Sequence, residues 1–95
     1  MEENTTETAP LKLDPRFARE FELWNNVTAR EREIAAAIGT GETNRSIAER
    51  LKISIKTVDT HRGHILKKVA CKNNVELCLF LLRIGVISID VATTN

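Results

Sequence analysis

The chain has no tyrosine, a single tryptophan, two cysteines and only four glycines in 95 residues, and each shortage removes a class of function. No glycine-rich loop is present to cradle the phosphates of a nucleotide. No nucleophile stands with an identifiable base, and so short a chain has too little fold to enclose a pocket of useful size. A non-enzyme is expected, with no catalytic residue assigned. The separation of Cys71 and Cys78 does not match a zinc-binding pair, so both are expected to be small apolar fillers in a reducing compartment. His61, His64 and Cys71 have no second cluster to complete a ligand set, and neither a metal nor a cofactor is expected. Also missing are an apolar run of transmembrane length and a signal-peptide arrangement, which points to a cytoplasmic chain with no membrane partner. The length has room for one small domain.

Excess charge is small as well, +1 for the whole chain, but it is unevenly placed. From Thr43 to Lys72 eight Lys or Arg stand against two acids, Glu49 and Asp59, a local net of +6, whereas residues 1–26 carry six acids against three bases. The basic stretch calls for an anionic partner, and the N-terminal segment is not a DNA-binding arm.

The basic stretch also has a pattern. Thr43 is a good N-cap, Ile47, Ala48 and Leu51 recur at helical spacing, and Lys52-Ile53-Ser54 interrupts the run before a second cap at Ser54. These signals predict a scaffold helix over 43–51 and a second helix over 54–70, joined by a three-residue turn: a helix-turn-helix, whose natural partner is double-stranded DNA. On the second helix Ile55, Val58, Ile65, Leu66 and Val69 make one apolar face, while Lys56, Asp59, Thr60, Gly63, His64 and Lys67 project from the other. A charged outer face alone is ordinary for a solvated hairpin. Gly63 argues for more, because a mid-helix glycine costs about 1 kcal/mol relative to alanine, and core packing cannot require it on the outward face. Close approach of another backbone can.

Together with its flanks, this stretch carries a resemblance. The segment from Val27 to Val69, with T-x-R-E-R-E at Thr28 to Glu33, G-x-T-N at Gly41 to Asn44, Ile47-Ala48, I-S-x-x-T-V at Ile53 to Val58, His61, and N-N-V-E-L at Asn73 to Leu77, resembles the LuxR/GerE-type DNA-binding domain. That group includes the output domain of NarL/FixJ-class bacterial response regulators. The resemblance implies an all-α, four-helix domain over 27–90, whose third helix enters the DNA major groove and whose fourth, here 74–85, often makes a dimer contact. Related domains usually carry Glu at the position of Ser46 and often Lys at the positions of Asp59 and Gly63, so the recognition face departs from the pattern. Glu33 matches an acidic family position; an exposed acid in a first helical turn reads equally well.

The first helix of that domain is legible without the resemblance. Thr28 and Glu31 form a capping box, Ile34, Ala35 and Ile38 give an apolar stripe to about Ile38, and Gly39 and Gly41 offer left-handed conformations to end it. Ser46 is too short to repeat the box on the scaffold helix.

Outward residues sort by chemistry. Thr43, Asn44, Ser54, Lys56, Thr57 and Arg62 are candidates for phosphate, through side chains and the exposed amides of helix starts. Thr60, Gly63, His64, Lys67 and Asp59 are candidates for base edges: Thr60 for a thymine methyl, Lys67 for guanine or phosphate, and Asp59 for a cytosine amino group unless it pairs with Arg62 or Lys56. His61 is expected to pack or hydrogen-bond within the domain.

The last helix has apolar residues on two sides. Leu77, Phe80, Leu81 and Ile84 line one, and the resemblance places core contacts at Leu77 and Leu81. Val75, Leu79, Leu82 and Val86 line the other and are the candidate dimerisation face, unless the N-terminal helix of the same chain covers it. That helix, expected within 14–26, starts at Asp14-Pro15 and carries Phe17, Phe21 and Trp24 on one stripe. Residues 1–13 form an acidic tail expected to be disordered.

These signals point to a sequence-specific bacterial transcription regulator binding DNA as a homodimer, with RNA polymerase or another regulator as a further partner. The alternative is an interaction protein that pairs with another LuxR-type regulator and modulates its DNA binding. The chain has no room for a phosphate-accepting receiver domain, so it is expected to be either a stand-alone regulator like GerE-like proteins, which Met1 fits, or an output domain separated from its receiver.

Overall fold

The computed structural model describes residues 14–89. Within them the chain is all-helical: a 3-10 turn over Pro15–Phe17 runs into α1 (Ala18–Trp24), followed by α2 (Ala29–Gly39), α3 (Asn44–Leu51), α4 (Ile55–Lys68) and α5 (Asn74–Arg83). Helix α2 is the hub, packing against α3, α4 and α5, while α3 and α4 pack on each other. The acidic tail over 1–13 and position 90 lie outside the described residues.

Four helix starts follow from side chains that accept from an otherwise unpartnered backbone amide. Thr28 caps α2 through Glu31 N, Thr43 caps α3 through Ser46 N, Ser54 caps α4 through Thr57 N, and Asn73 caps α5 through Glu76 N. Only the first is a full capping box, with Thr28 N donating to Glu31 Oε1 over 2.9 Å. Where the box is missing on α3, Ser46 Oγ instead donates to Glu42 Oε2 at 2.8 Å.

Helix ends depart further from expectation. The helix expected over 54–70 is Ile55–Lys68, because Ser54 is its cap and Ala70 turns left-handed at φ 58. Cys71 N then donates to the Leu66 carbonyl at 2.9 Å and closes the end. Likewise 74–85 shortens to Asn74–Arg83, with Gly85 at φ 80 and Val86 N returning to the Leu81 carbonyl. Thr43 lies outside its helix as the cap, and Lys52 takes the left-handed position, φ 61, that turns the chain toward α4. Gly41 is left-handed at φ 95, but Gly39 is the last helical residue of α2. Its reason is packing: a Cβ there would stand 2.6 Å from Leu81 Cδ1.

The core is one cluster in which Ile34, Ile47, Val58, Ile65, Leu77 and Leu81 are fully buried. Ile55 is not part of it. At the first position of α4 it stands above the packed layer and is 43% exposed, so the inward face of α4 is Val58, Ile65 and Leu66, continued by Val69. Phe17 also leaves the aromatic stripe. The 3-10 turn advances the chain by about 120° per residue rather than 100°, and Phe17 lies under the Arg16 guanidinium, 5.4 Å away. Phe21 packs on the core and Trp24 is buried, its ring 6.2 Å from that of Phe80. Arg32 fixes this corner, stacking on Trp24 at 5.2 Å and donating to the carbonyls of Val27 and Trp24.

One contact joins distant parts of the chain. Lys68 Nζ, at the end of α4, lies 2.7 Å from Glu31 Oε1 at the start of α2. The Lys68 ammonium and then the Thr28 amide hold the Glu31 carboxyl below its ordinary value of 4.5. A carboxyl lowered in the folded state adds stability in full above its unfolded value, and this is lost as pH falls through the folded value. Glu31→Ala is predicted to cost about 2 kcal/mol by urea unfolding at pH 7, combining a lost cap and a charged hydrogen bond. Glu31→Gln, which keeps the box, should cost less, and its deficit should close as the pH is lowered below 4.5.

Candidate nucleic-acid interface

Helix α4 divides cleanly. Opposite its buried residues, Lys56, Asp59, Thr60, Gly63, His64 and Lys67 are all exposed. Lys56, Thr60, Gly63 and Lys67, spaced i, i+4, i+7 and i+11, form one line along the helix. Four of the candidate phosphate ligands lie at two helix starts, Ser54 and Thr57 at that of α4 and Thr43 and Asn44 at that of α3; Thr43, Ser54 and Thr57 are exposed and Asn44 half-buried. The Ser54 and Thr57 hydroxyls are 2.8 Å apart. Gly63 has nothing within 4 Å of where a Cβ would stand, so no packing within the chain requires glycine there.

The sequence count of basic residues overstates the charge on offer. Arg50 is held by Glu42 at 2.8 Å, Arg62 by Asp59 at 2.7 Å and Lys68 by Glu31 at 2.7 Å. Two of those acids, Glu31 and Glu42, lie outside the basic stretch and fold back onto it. Arg50 and Ser46 lower the Glu42 carboxyl, which keeps it ionised and committed. Arg45, Lys52, Lys56, Lys67 and Lys72 form no side-chain hydrogen bond or ion pair among the described residues. Glu33 pairs with Arg30 at 3.3 Å and approaches Arg50 at 4.0 Å. Both are exposed pairs of small energetic weight.

Asp59 pairs with Arg62, not Lys56, and Arg62 is half-buried along its length as a residue at the edge of the apolar stripe should be. His61 is half-buried, and no hydrogen bond to its ring is found among the described residues. Nor do three His, Cys, Asp or Glu side chains converge there as a metal site would need. Cys71 and Cys78 are half-buried free thiols, and burial pushes the Cys71 thiol up. No helix among the described residues is long and apolar enough to cross a membrane.

The candidate dimerisation residues do not form one uniform face. Val75 and Leu79 are 69% and 45% exposed, Leu82 is half-buried, and Val86 packs against the core because the chain reverses after Gly85. Helix α1 does not cover them. It lies on the Phe80 flank, leaving a groove of about 430 Å³ between α1 and α5, lined by Arg19, Leu23, Cys71, Glu76, Leu79 and Arg83.

Two helices joined by a tight left-handed turn, the second with a basic outer strip and all set on a hub helix, define a helix-turn-helix domain of the DNA-binding class. The chain belongs to the luxR family: the family of bacterial regulatory proteins of that name matches residues 25–81. It is 41% identical over 78 residues to the response regulatory protein YgeK of Escherichia coli (strain K12), an alignment covering 82% of this chain and 50% of YgeK. It is 40% identical over 57 residues to the oxygen regulatory protein NreC of Staphylococcus aureus (strain JH9), covering 60% of this chain and 26% of NreC. The chain thus spans about half the length of one relative and a quarter of the other.

Sequence inspection missed the Glu42–Arg50 and Glu31–Lys68 pairs and the Arg32 clasp on Trp24, all of which depend on the tertiary path. Gly63→Ala is predicted to raise folding stability by about 1 kcal/mol, since the new methyl meets open space and the helix gains propensity. An unchanged or lowered urea midpoint would show that this glycine has a structural role after all.

Proposed function

We propose that this chain is the DNA-binding part of a bacterial transcription regulator, with α4 lying in the major groove as its recognition helix. The observation that carries the reading is the line of Lys56, Thr60, Gly63 and Lys67, exposed and without side-chain partners on a helix whose opposite face is locked in the core. Lys56, with Thr57, Ser54, Thr43 and Asn44 at two helix starts, takes phosphate and sets the register. Thr60, His64 and Lys67 read base edges, and Gly63 lets the duplex approach the helix backbone. Two copies bind a two-fold site, with Val75, Leu79 and Leu82 of α5 meeting between them. RNA polymerase or another regulator is the protein partner of the assembled complex.

The deciding experiment is selection of bound sequences from random duplex DNA at near-physiological salt. A regulator of this kind returns a two-fold motif, and its affinity falls steeply with salt. A chain that acts only by pairing with another regulator returns none; Asp59 and Gly63 on the recognition face are the features favouring that second reading. Lys56→Ala is predicted to weaken binding to all sequences alike and reduce the slope of log K against log salt by about one. Thr60→Ala and Lys67→Ala should change the selected motif. Retention of wild-type binding by all three variants would rule out this docking.

For self-association, Leu79→Asp is predicted to shift sedimentation toward monomer while leaving helicity intact, since Leu79 is already partly solvated. Loss of helical signal in a chain that was monomeric to begin with would assign Leu79 to the core.

A further inference from the structure

Asp59 is the one group on the outward face of α4 to which the docking above gives no role. It is the only acid between Ile55 and Lys68. Its side chain is 58% exposed, and Arg62 donates from its terminal nitrogen to Oδ1 at 2.7 Å. No hydrogen bond to the second oxygen, Oδ2, is found among the described residues. One turn further on, at i+4, stands Gly63, with open space where a side chain would begin. Helical side chains lean toward the N-terminus, so the surface that residue 63 would cover lies over the turn holding Asp59 and Thr60. Glycine leaves that turn bare, whereas a lysine at 63 would lie over it and pair with the carboxylate. The acid and the bare turn are therefore neighbours on one patch, and each changes what the other does.

A carboxylate facing a polyanion lowers affinity unless its charge is balanced and its oxygens are given donors. Arg62 balances the charge and occupies Oδ1. Oδ2 remains as an acceptor that, once water is excluded, has to be met by a donor or left unpaired at a cost. In the major groove the cytosine edge offers the N4 amino donor with no adjacent acceptor on the same base. Guanine presents O6 and N7, thymine presents O4, and adenine sets its N7 acceptor beside its amino group.

Resting on the DNA-binding reading above, we infer that Asp59 is a specificity-determining residue: braced by Arg62 and uncovered by Gly63, its carboxylate selects cytosine at one position of each half-site. The same group restrains binding to all other DNA. It repels phosphate, and it holds a guanidinium that would otherwise neutralise one.

The test compares the full chain with its Asp59→Asn variant in the same random-duplex selection, followed by titrations on the selected and on unrelated DNA at several salt concentrations. The carboxamide has the same shape but donates as well as accepts, so it tolerates guanine or thymine where the carboxylate does not. The wild type is expected to prefer cytosine by roughly fivefold or more at one half-site position, the scale of a single base discrimination. Asp59→Asn should reduce that preference to about twofold or less, bind unrelated DNA more tightly, and show a salt slope steeper by about one as Arg62 is released to phosphate. Asp59→Ala, which has no hydrogen-bonding group, should lose the preference too and serves as the second variant should the first not fold. A motif in Asp59→Asn identical to the wild type at every position would overturn the inference and leave the DNA-binding reading standing. A wild-type chain with no salt-sensitive DNA binding would overturn both.

Discussion

The Glu31 carboxylate holds the arrangement together. Its Oε1 accepts from the Thr28 amide at 2.9 Å and from Lys68 Nζ at 2.7 Å, so one oxygen both starts the hub helix and anchors the end of α4. Among the described residues Glu31 is the only polar or charged one buried with the core. At the other end α4 is fixed by the Ser54 cap and the Lys52 turn, and between the ends by Val58 and Ile65, both fully buried. A helix clamped in this way has one face locked in the core and one turned outward. Rigid placement of an outward strip is what a side-chain reading of a base edge needs, since such contacts require the donor and acceptor within hydrogen-bond distance at the moment of docking.

What was legible in the sequence was local. Thr28, Thr43 and Ser54 announce helix starts because a cap is a contact between residues a few positions apart. The two faces of α4 follow from spacing and the four-helix plan from the family resemblance, and both are present in the fold, Ile55 apart. Helix ends were less legible. Lys52 and Ala70 carry the left-handed turns although neither residue type signals one, and alanine favours continuing a helix. The chain leaves α4 because α5 has to reach α2, a demand made by packing. Gly39 illustrates the opposite error. It reads as a helix terminator, yet it is small because Leu81 stands where its Cβ would be. Ile55 is apolar and in phase, but its place at the helix start keeps it above the core. The candidate interface shows the same division: exposure along α4 was readable from periodicity, while the commitment of Arg50, Arg62 and Lys68 was not, because two of their three partners come from outside the segment.

Those commitments separate two uses of positive charge. Lys68 is structural, because it meets a carboxylate buried with the core, and Arg50 meets Glu42 at the surface and lowers its proton affinity. Lys56 and Lys67 have no such engagement, and under the proposed docking they supply the salt-dependent share of binding. Arg62 is intermediate, because its partner Asp59 is exposed and sits on the face that would meet DNA. An exposed i, i+3 pair contributes little to stability, so the helix gains little by having it. Its effect is instead on how much charge the face presents, and where.

The exposed part of α5 follows from length. Helix α1 has seven residues and α5 has ten, which at 1.5 Å per residue makes α1 about 10 Å long against 15 Å. Bound at Phe80 through Trp24, so short a helix covers one flank of α5 and stops, and the groove between the two marks where cover ends. Leu79 lines that groove, and Val75 is not among its lining residues. The exposure places an apolar patch on α5, outside the basic strip of α4. A pair of copies joined through that patch would leave both recognition strips free, the geometry that a two-fold DNA site requires.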